Sequence, residues 1–163
     1  MDLEEGLARL ELRALIDEYA YCADSRDYDG WATTFTEDGT CAGYNPGEDE
    51  PFVSATGREA IAQLLHGNDP LPHTFHSMSN HHITVDGDTA SGITYGQAHH
   101  TIGTGPDTEA YVWLIQYHDD YERTSDGWKF ARREIRIQWI EYVDSDVSAF
   151  PFRKGRAALA SAD

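Results

Sequence analysis

The stretch 73-HTFHSMSNHHITVDGDTASGITYGQAHHTI-102 decides the fold. Its centre, Asp86-Gly87-Asp88, is a strong signal for a β-hairpin turn, because aspartate and glycine tolerate the backbone angles that tight turns need. The segments on either side, 73–86 and 88–102, have strand character. We therefore expect two long antiparallel strands joined by a short turn.

Two further strands are expected after this hairpin. Residues 109–122 alternate in polarity and are rich in aromatic and β-branched side chains, which favour strands. A turn at 124–127 leads into 128–143, which has the same character. The tail 144–163 has no clear periodicity. The second half of the chain is thus predicted to be a meander of four strands.

Helical patterns precede the meander. A first helix is expected to run to about residue 22, and Asp27 can cap a short second helix that extends through Phe35. A short strand at 40–44 comes next, and 56–59 has the spacing of a capping box that opens a helix to about His66. The first helix has an apolar stripe that a second set of residues widens: Leu3, Leu7, Leu10, Ala14 and Leu15, then Leu12, Ile16, Tyr19 and Ala23. Helices followed by a meander predict an α+β fold, with residues 1–143 as a single domain and a curved antiparallel sheet against the helices.

Composition excludes several classes of partner. The 163 residues suit one domain, and the net charge of −17 disfavours nucleic acid and anionic membranes, which both require basic surfaces. No apolar run approaches the ~20 residues of a membrane span. The acidic, periodic N-terminus does not resemble a signal peptide. The two cysteines, Cys22 and Cys41, form no CxxC pair, so we expect reduced thiols and a cytoplasmic location.

Six of the eight histidines lie between residues 73 and 100. Metal binding, a structural role on the strand faces, and proton transfer in a pocket are the three interpretations. In a strand, residues three apart point to opposite faces, so His73 and His76 cannot easily share a metal ion. Adjacent histidines diverge in the same way, and no metal site is expected.

Alternation along the strands separates the histidines. One face of 88–102 carries small side chains and ends at His100, which indicates a concave surface over a cavity. One face of 73–86 carries His76, Met78, Asn80, His82 and Thr84, and burying so many polar groups in an ordinary core would be costly unless they were paired. His76 and His100 are therefore the candidates for proton transfer near neutral pH.

Asp24 stands at the end of the first helix, where the partial negative charge of the helix terminus disfavours a carboxylate. It could cap the next turn, 24–27. It could also orient a catalytic histidine.

Three segments resemble the SnoaL-like family of the nuclear transport factor 2-like (NTF2-like, cystatin-like) superfamily: 15-LIDEYAYCADSRDYDGWATTFTEDG-39, 76-HSMSN-80 leading into 83-ITVDGDTA-90, and 119-DDYERTSDGWKFARREI-135. The resemblance covers roughly residues 8–143. It implies an NTF2-like cone, in which a curved antiparallel sheet packs against N-terminal helices and encloses a pocket.

The resemblance is closest to three members that catalyse eliminations without a cofactor: scytalone dehydratase, bile-acid 7α-dehydratase and hexachlorocyclohexane dehydrochlorinase. It implies that Asp24 and His76 form the catalytic pair, with Tyr19 and His100 as further catalytic residues. Two positions depart from the members' patterns, since Ala23 replaces a tyrosine and Ala98 an aspartate. A homotrimer is also implied.

These expectations combine into a cofactor-independent lyase, of the dehydratase type, acting on a small, mostly apolar cyclic or aromatic molecule. Two alternatives are an isomerase or polyketide cyclase that uses the same base, and a non-catalytic binding module. Seven residues are expected to contact the substrate, the last two from a tail that covers the site or packs on another subunit: Tyr44, Met78, Asn80, Tyr95, Trp113, Phe150 and Phe152.

Overall fold

The α+β fold is confirmed by a computed structural model, which describes residues 3–105, 108–145 and 147. The helices are α1 (Leu3–Ser25), α2 (Tyr28–Thr33) and α3 (Arg58–Leu65), and a 3₁₀ turn covers His66–Asn68. The strands are β1 (Phe35–Tyr44), β2 (Val53–Thr56), β3 (Thr74–Asp86), β4 (Thr89–Thr101), β5 (Thr108–Thr124) and β6 (Gly127–Ser145). The expected meander is therefore β3 to β6.

The strands form one curved sheet in the order β2-β1-β6-β5-β4-β3. All neighbours are antiparallel except β1 and β6, which are parallel. Strand β1 is longer than predicted, and β2 was not predicted. β2 is only four residues long and lies at the sheet edge, so it carries little periodic signal.

The predicted hairpin turn is present between β3 and β4. Asp86 pairs with Thr89, and Gly87 has a φ of +59°, which glycine adopts without steric cost. This turn places His76 and His100 on neighbouring strands, near the end of the hairpin opposite the turn.

A β-bulge interrupts strand β3. Met78 pairs with Gly96, but the next pair joins His81 to Thr94, so two residues of β3 lie opposite one residue of β4. The bulge exchanges the faces of the strand. His76 and Met78 point inward before it, whereas His81 and Ile83 do so after it.

Helix α1 packs on the inner face of the sheet through the second set of apolar residues. Leu12 and Ile16 are fully buried there, whereas Leu3, Leu7 and Leu10 are exposed. The residues that widen the stripe are therefore the ones that face the sheet, together with Leu15 of the first set. The helix is apolar on two sides, so spacing alone could not identify the side that faces the sheet.

The helix caps differ in how well they were predicted. Asp27 caps α2 as expected, since its side chain accepts a hydrogen bond from the Gly30 N–H at 2.9 Å. Helix α3 instead begins after Gly57, which has a φ of +83° and makes no side-chain cap. The backbone N–H of Gly57 donates to the Gly39 carbonyl at 2.8 Å, which ties the start of the helix to β1.

The outer face of the sheet exposes large apolar side chains, among them Phe75, Tyr95 and Trp139. Such a surface is compatible with subunit contacts, but the structure holds one chain, so the homotrimer stays a prediction. Within the described ranges, no helix is long and apolar enough to cross a membrane.

Candidate active site

Asp24 lies in the last turn of α1 and faces strand β3. Its Oδ2 accepts the backbone N–H of His76 at 2.8 Å, and its Oδ1 accepts the Thr74 hydroxyl at 2.9 Å. Oδ1 also lies 2.7 Å from the Nδ1 atom of His76. Burial alone would raise the pKa of Asp24, but the hydrogen bonds from His76 and Thr74 outweigh it and hold that pKa below its ordinary value. Hydrogen bonds from three donors thus offset the unfavourable position of the Asp24 carboxylate at the helix C-terminus.

His76 is nearly buried, with 9% of its side chain exposed, compared with 26% for Asp24. Asp24 fixes Nδ1 as the hydrogen-bond donor, which leaves Nε2 as the nitrogen that can accept a proton. This is the arrangement of a histidine base oriented by a carboxylate. The structure therefore brings together the two residues that the resemblance paired.

His100 lies beside His76 on strand β4. The two ring centroids are 6.0 Å apart and nearly perpendicular, while the rings of Tyr111 and Trp113 lie 4.6 and 4.9 Å from His100. Burial, together with the neighbouring His76, lowers the pKa of His100 to about 4. Its Nδ1 atom is buried and has no side-chain or backbone partner among the described residues. His100 is thus a neutral imidazole near pH 7.

A cavity of about 400 Å³ opens in front of the two histidines. The two histidines are its ionisable nitrogen groups, and no described lining residue carries a permanent charge. The larger wall residues are aromatic or aliphatic and come from helices and strands alike: Tyr19, Trp31, Phe52, Leu64, Leu65, Leu71, Tyr111, Trp113, Ile115, Tyr117 and Ile135. Such a lining suits an uncharged apolar ring.

Tyr19 is a residue of α1 and forms part of the cavity wall. The Arg133 guanidinium lies 4.1 Å from the centre of its ring and 4.5 Å from that of Tyr117. Burial raises the pKa of Tyr19 well above its usual value, so its hydroxyl stays protonated and can only donate to or accept from a bound molecule. The hydroxyls of Tyr19 and Tyr117 make no hydrogen bond within the described part of the chain. Both are available to a polar atom of a ligand.

The residues predicted to contact the substrate are divided by the structure. Trp113 lines the cavity, and Met78 packs against the core next to it without lining it. Asn80 and Tyr95 are exposed on the opposite side of the sheet, because the bulge in β3 turns Asn80 outward and Tyr95 alternates with the buried Thr94. These two assignments to the pocket are corrected.

Tyr44 also belongs to the opposite face. Its neighbour Gly43 lines the cavity, and the Tyr44 ring packs instead under the Arg136 guanidinium at 4.3 Å. Phe150 and Phe152 lie outside the described residues.

Several cavity residues were missed by the sequence interpretation. Tyr111 and Tyr117 are on the same face of β5 as Trp113, so alternation from Trp113 could have identified both. Leu71 comes from an irregular part of the chain, between the 3₁₀ turn and β3, where no periodic signal exists.

Among the described residues, no group of three or more histidine, cysteine, aspartate or glutamate side chains is arranged to hold a metal ion. His81 points inward after the bulge. Burial lowers its pKa to about 4, although the nearby Asp119 carboxylate acts in the opposite direction.

We expect two neutral histidines, the partly buried His81 and the buried His100, to make stability depend on pH between about 6.5 and 4. Above this window they are neutral in both states. As pH falls through it, the unfolded chain binds protons that the folded chain does not, so the free energy of unfolding falls. Urea unfolding of wild type and His81→Phe at a series of pH values measures this. In this window the free energy of unfolding should change less steeply with pH in the variant, by the amount that corresponds to about one proton. Equal slopes in the two proteins would contradict the prediction.

Comparisons with known sequences place this chain in a family. A model of the SnoaL-like domain matches residues 4–134. Similar sequences include uncharacterized proteins of Mycobacterium tuberculosis and Mycobacterium bovis, each 31% identical over 129 residues, which cover 77% of this chain and 82% of the relative.

Solved structures with the same fold include three informative neighbours. A candidate scytalone dehydratase from Novosphingobium aromaticivorans is 26% identical, with a TM-score of 0.71, and covers 89% of this chain and 92% of that one. An NTF2-like protein with a cystatin-like fold from the same organism is 29% identical, with a TM-score of 0.58 and coverage of 83% and 90%. A type 2 hexachlorocyclohexane dehydrochlorinase is 20% identical, with a TM-score of 0.68 and coverage of 90% and 98%, and this likeness shows the fold alone.

Proposed function

The chain belongs to the SnoaL-like domain family, and on this basis we propose that it is a cofactor-independent lyase. The reaction is an elimination of the dehydratase type on a small, uncharged, mostly apolar cyclic or aromatic molecule. The observation that carries the proposal is the 2.7 Å contact between His76 Nδ1 and Asp24 Oδ1 at the wall of an uncharged cavity. A structural neighbour described as a candidate scytalone dehydratase supports elimination as the reaction class.

In the proposed reaction His76 is the base. Its Nε2 takes a proton from a ring carbon, the electrons of that C–H bond form a C=C bond, and the bond to the leaving group on the adjacent carbon breaks. The imidazolium that forms is stabilised by Asp24, which accepts the Nδ1–H. The proton on His76 is available to the departing group or to water, so the cycle closes without a cofactor.

Tyr19 and His100 are assigned to the leaving group or to an oxygen that gains negative charge. The Tyr19 hydroxyl stays protonated and His100 stays neutral, so each acts as a hydrogen-bond donor rather than as a strong acid. His100 lies close enough to His76, at 6.0 Å between ring centroids, for one small ring to contact both. The two histidines therefore have different tasks, with only His76 held by a carboxylate.

The cavity supports the choice of substrate. A volume of about 400 Å³ accommodates a molecule of one or two rings, and an anion or a cation would meet no opposite charge among the described lining residues. The buried free thiols of Cys22 and Cys41 fit a reducing compartment, so a cytoplasmic location is part of the proposal.

We expect the purified protein, treated with EDTA, to eliminate water or halide from members of a panel of cyclic β-hydroxyketones and chlorinated cyclohexanes. Ultraviolet absorbance follows the conjugated product and a halide assay follows chloride. If cyclic ketones exchange their α-protons for deuterium without elimination, the isomerase or cyclase replaces the lyase. If ring compounds raise the melting temperature but nothing reacts, the binding module replaces it.

A further inference from the structure

Arg26 directly follows helix α1 and has an unusual conformation. Its φ of +61° lies in the left-handed region, which is costly for a residue other than glycine and persists where surrounding contacts stabilise it. Those contacts are four hydrogen bonds from the guanidinium. They reach the carbonyls of Ala23 (2.9 Å), Asn68 (3.1 Å) and Leu71 (3.1 Å), and the Thr74 hydroxyl (2.8 Å).

Thr74 connects Arg26 to the candidate active site. Its hydroxyl accepts a hydrogen bond from Arg26 and donates its single proton to Asp24 Oδ1 at 2.9 Å. That oxygen is the one that faces His76 Nδ1, while Asp24 Oδ2 faces the His76 backbone N–H. A charged donor at one end makes the next hydrogen bond stronger, so the carboxylate is held in one rotational position.

Arg26 also fixes one wall of the cavity. Asn68 and Leu71, whose carbonyls it binds, both line the cavity. One guanidinium therefore holds the end of α1, the segment 66–71 and the start of β3 in a common position.

We infer that Arg26 and Thr74 are positioning residues that act through Asp24, an inference that rests on the proposed function. The Arg26–Thr74 relay keeps the Asp24 carboxylate directed at His76, so that His76 holds its proton on Nδ1 and presents a bare Nε2 to the cavity. Without the relay the carboxylate rotates, and the ring also adopts the tautomer with the proton on Nε2. That tautomer cannot act as the base.

The test is the tautomer of His76, measured by ¹⁵N–¹H nuclear magnetic resonance of histidine ring nitrogens in the full chain at pH 8. Wild type should show a protonated Nδ1 and an unprotonated Nε2. Thr74→Val removes the hydroxyl and keeps the shape, and Arg26→Gln removes the charged donor. Both should raise the fraction of the Nε2–H tautomer severalfold, whereas Thr74→Ser should retain the wild-type state.

Arg13→Gln is the matched control. Arg13 also projects from α1 and also donates to strand β3, but to the carbonyls of Met78 and Ser79 rather than toward Asp24. It should leave the tautomer unchanged. An equal shift in Arg13→Gln would show general loosening of the helix and overturn the inference, as would wild-type tautomers in both relay variants.

Turnover gives a second readout on any substrate found in the elimination panel. Thr74→Val and Arg26→Gln should lower kcat by about tenfold to a hundredfold, as partners behind a functional histidine do, with KM little changed. A rise in KM alone would overturn the inference. If wild-type His76 itself carries its proton on Nε2, the proposed lyase mechanism fails, and that result is separate from any difference between variants.

Discussion

Asp24→Asn is expected to lower kcat by about 10²- to 10⁴-fold on any cyclic alcohol or halide that the wild-type protein eliminates. An asparagine oxygen can still accept the His76 backbone N–H, so the local geometry survives. Its NH₂ group then donates to His76 Nδ1 and forces the ring proton onto Nε2. The base is present but in the wrong tautomer.

His76→Ala is expected to cause a loss of similar size, because it removes the base itself. The double variant should be little worse than either single variant, since residues that act as one unit are not additive. Initial rates under saturating substrate measure kcat, and circular dichroism confirms that each variant folds.

A second histidine–aspartate pair supplies a matched control for the Asp24→Asn prediction. His66 Nδ1 lies 2.8 Å from Asp69 Oδ2, close to the 2.7 Å of the candidate site, but these two side chains are 43% and 45% exposed. Asp69→Asn should leave kcat near its wild-type value. Near-full activity in Asp24→Asn, or an equal loss in Asp69→Asn, would remove Asp24 from the mechanism.

The candidate pair shows how much of the site can be predicted from the sequence. Asp24 and His76 are more than fifty residues apart, and no periodicity links them. Their pairing was implied by the resemblance to the SnoaL-like family. Without that resemblance, physical chemistry did not decide whether Asp24 caps the next turn or orients a histidine. By contrast, the hairpin around Gly87 and the inward face that ends at His100 followed from local rules, because turn chemistry and strand alternation act over a few residues.

Where the predictions failed, a tertiary feature decided the result. The bulge after Met78 turned Asn80 to solvent, and no residue pattern in β3 indicates an extra residue opposite one residue of β4. Arg26 was missed for the same reason, since three of its four partners lie more than forty residues along the chain.

The largest expected effect on stability comes from the buried ion pair beneath the cavity. Arg133 and Asp119 have fully buried side chains joined by two hydrogen bonds of 2.8 and 2.9 Å, and the Tyr121 hydroxyl donates to Asp119 at 2.9 Å. Arg133→Met should lower the free energy of unfolding by about 3–5 kcal/mol, because it leaves a buried carboxylate without its cation. For a chain of this size that is a fall in melting temperature of about 6–20 °C.

The neighbouring pair isolates burial as the cause. Arg132 Nε lies 2.8 Å from Asp120 Oδ2, a contact as short as the buried one, but these side chains are 45% and 47% exposed. Arg132→Met should therefore cost only about 0–1 kcal/mol in urea unfolding. The double variant Arg133→Met/Asp119→Leu should recover most of the loss, because it removes both charges from the core. Equal losses in Arg132→Met and Arg133→Met would contradict the argument, since burial would then not be the cause of the loss at Arg133.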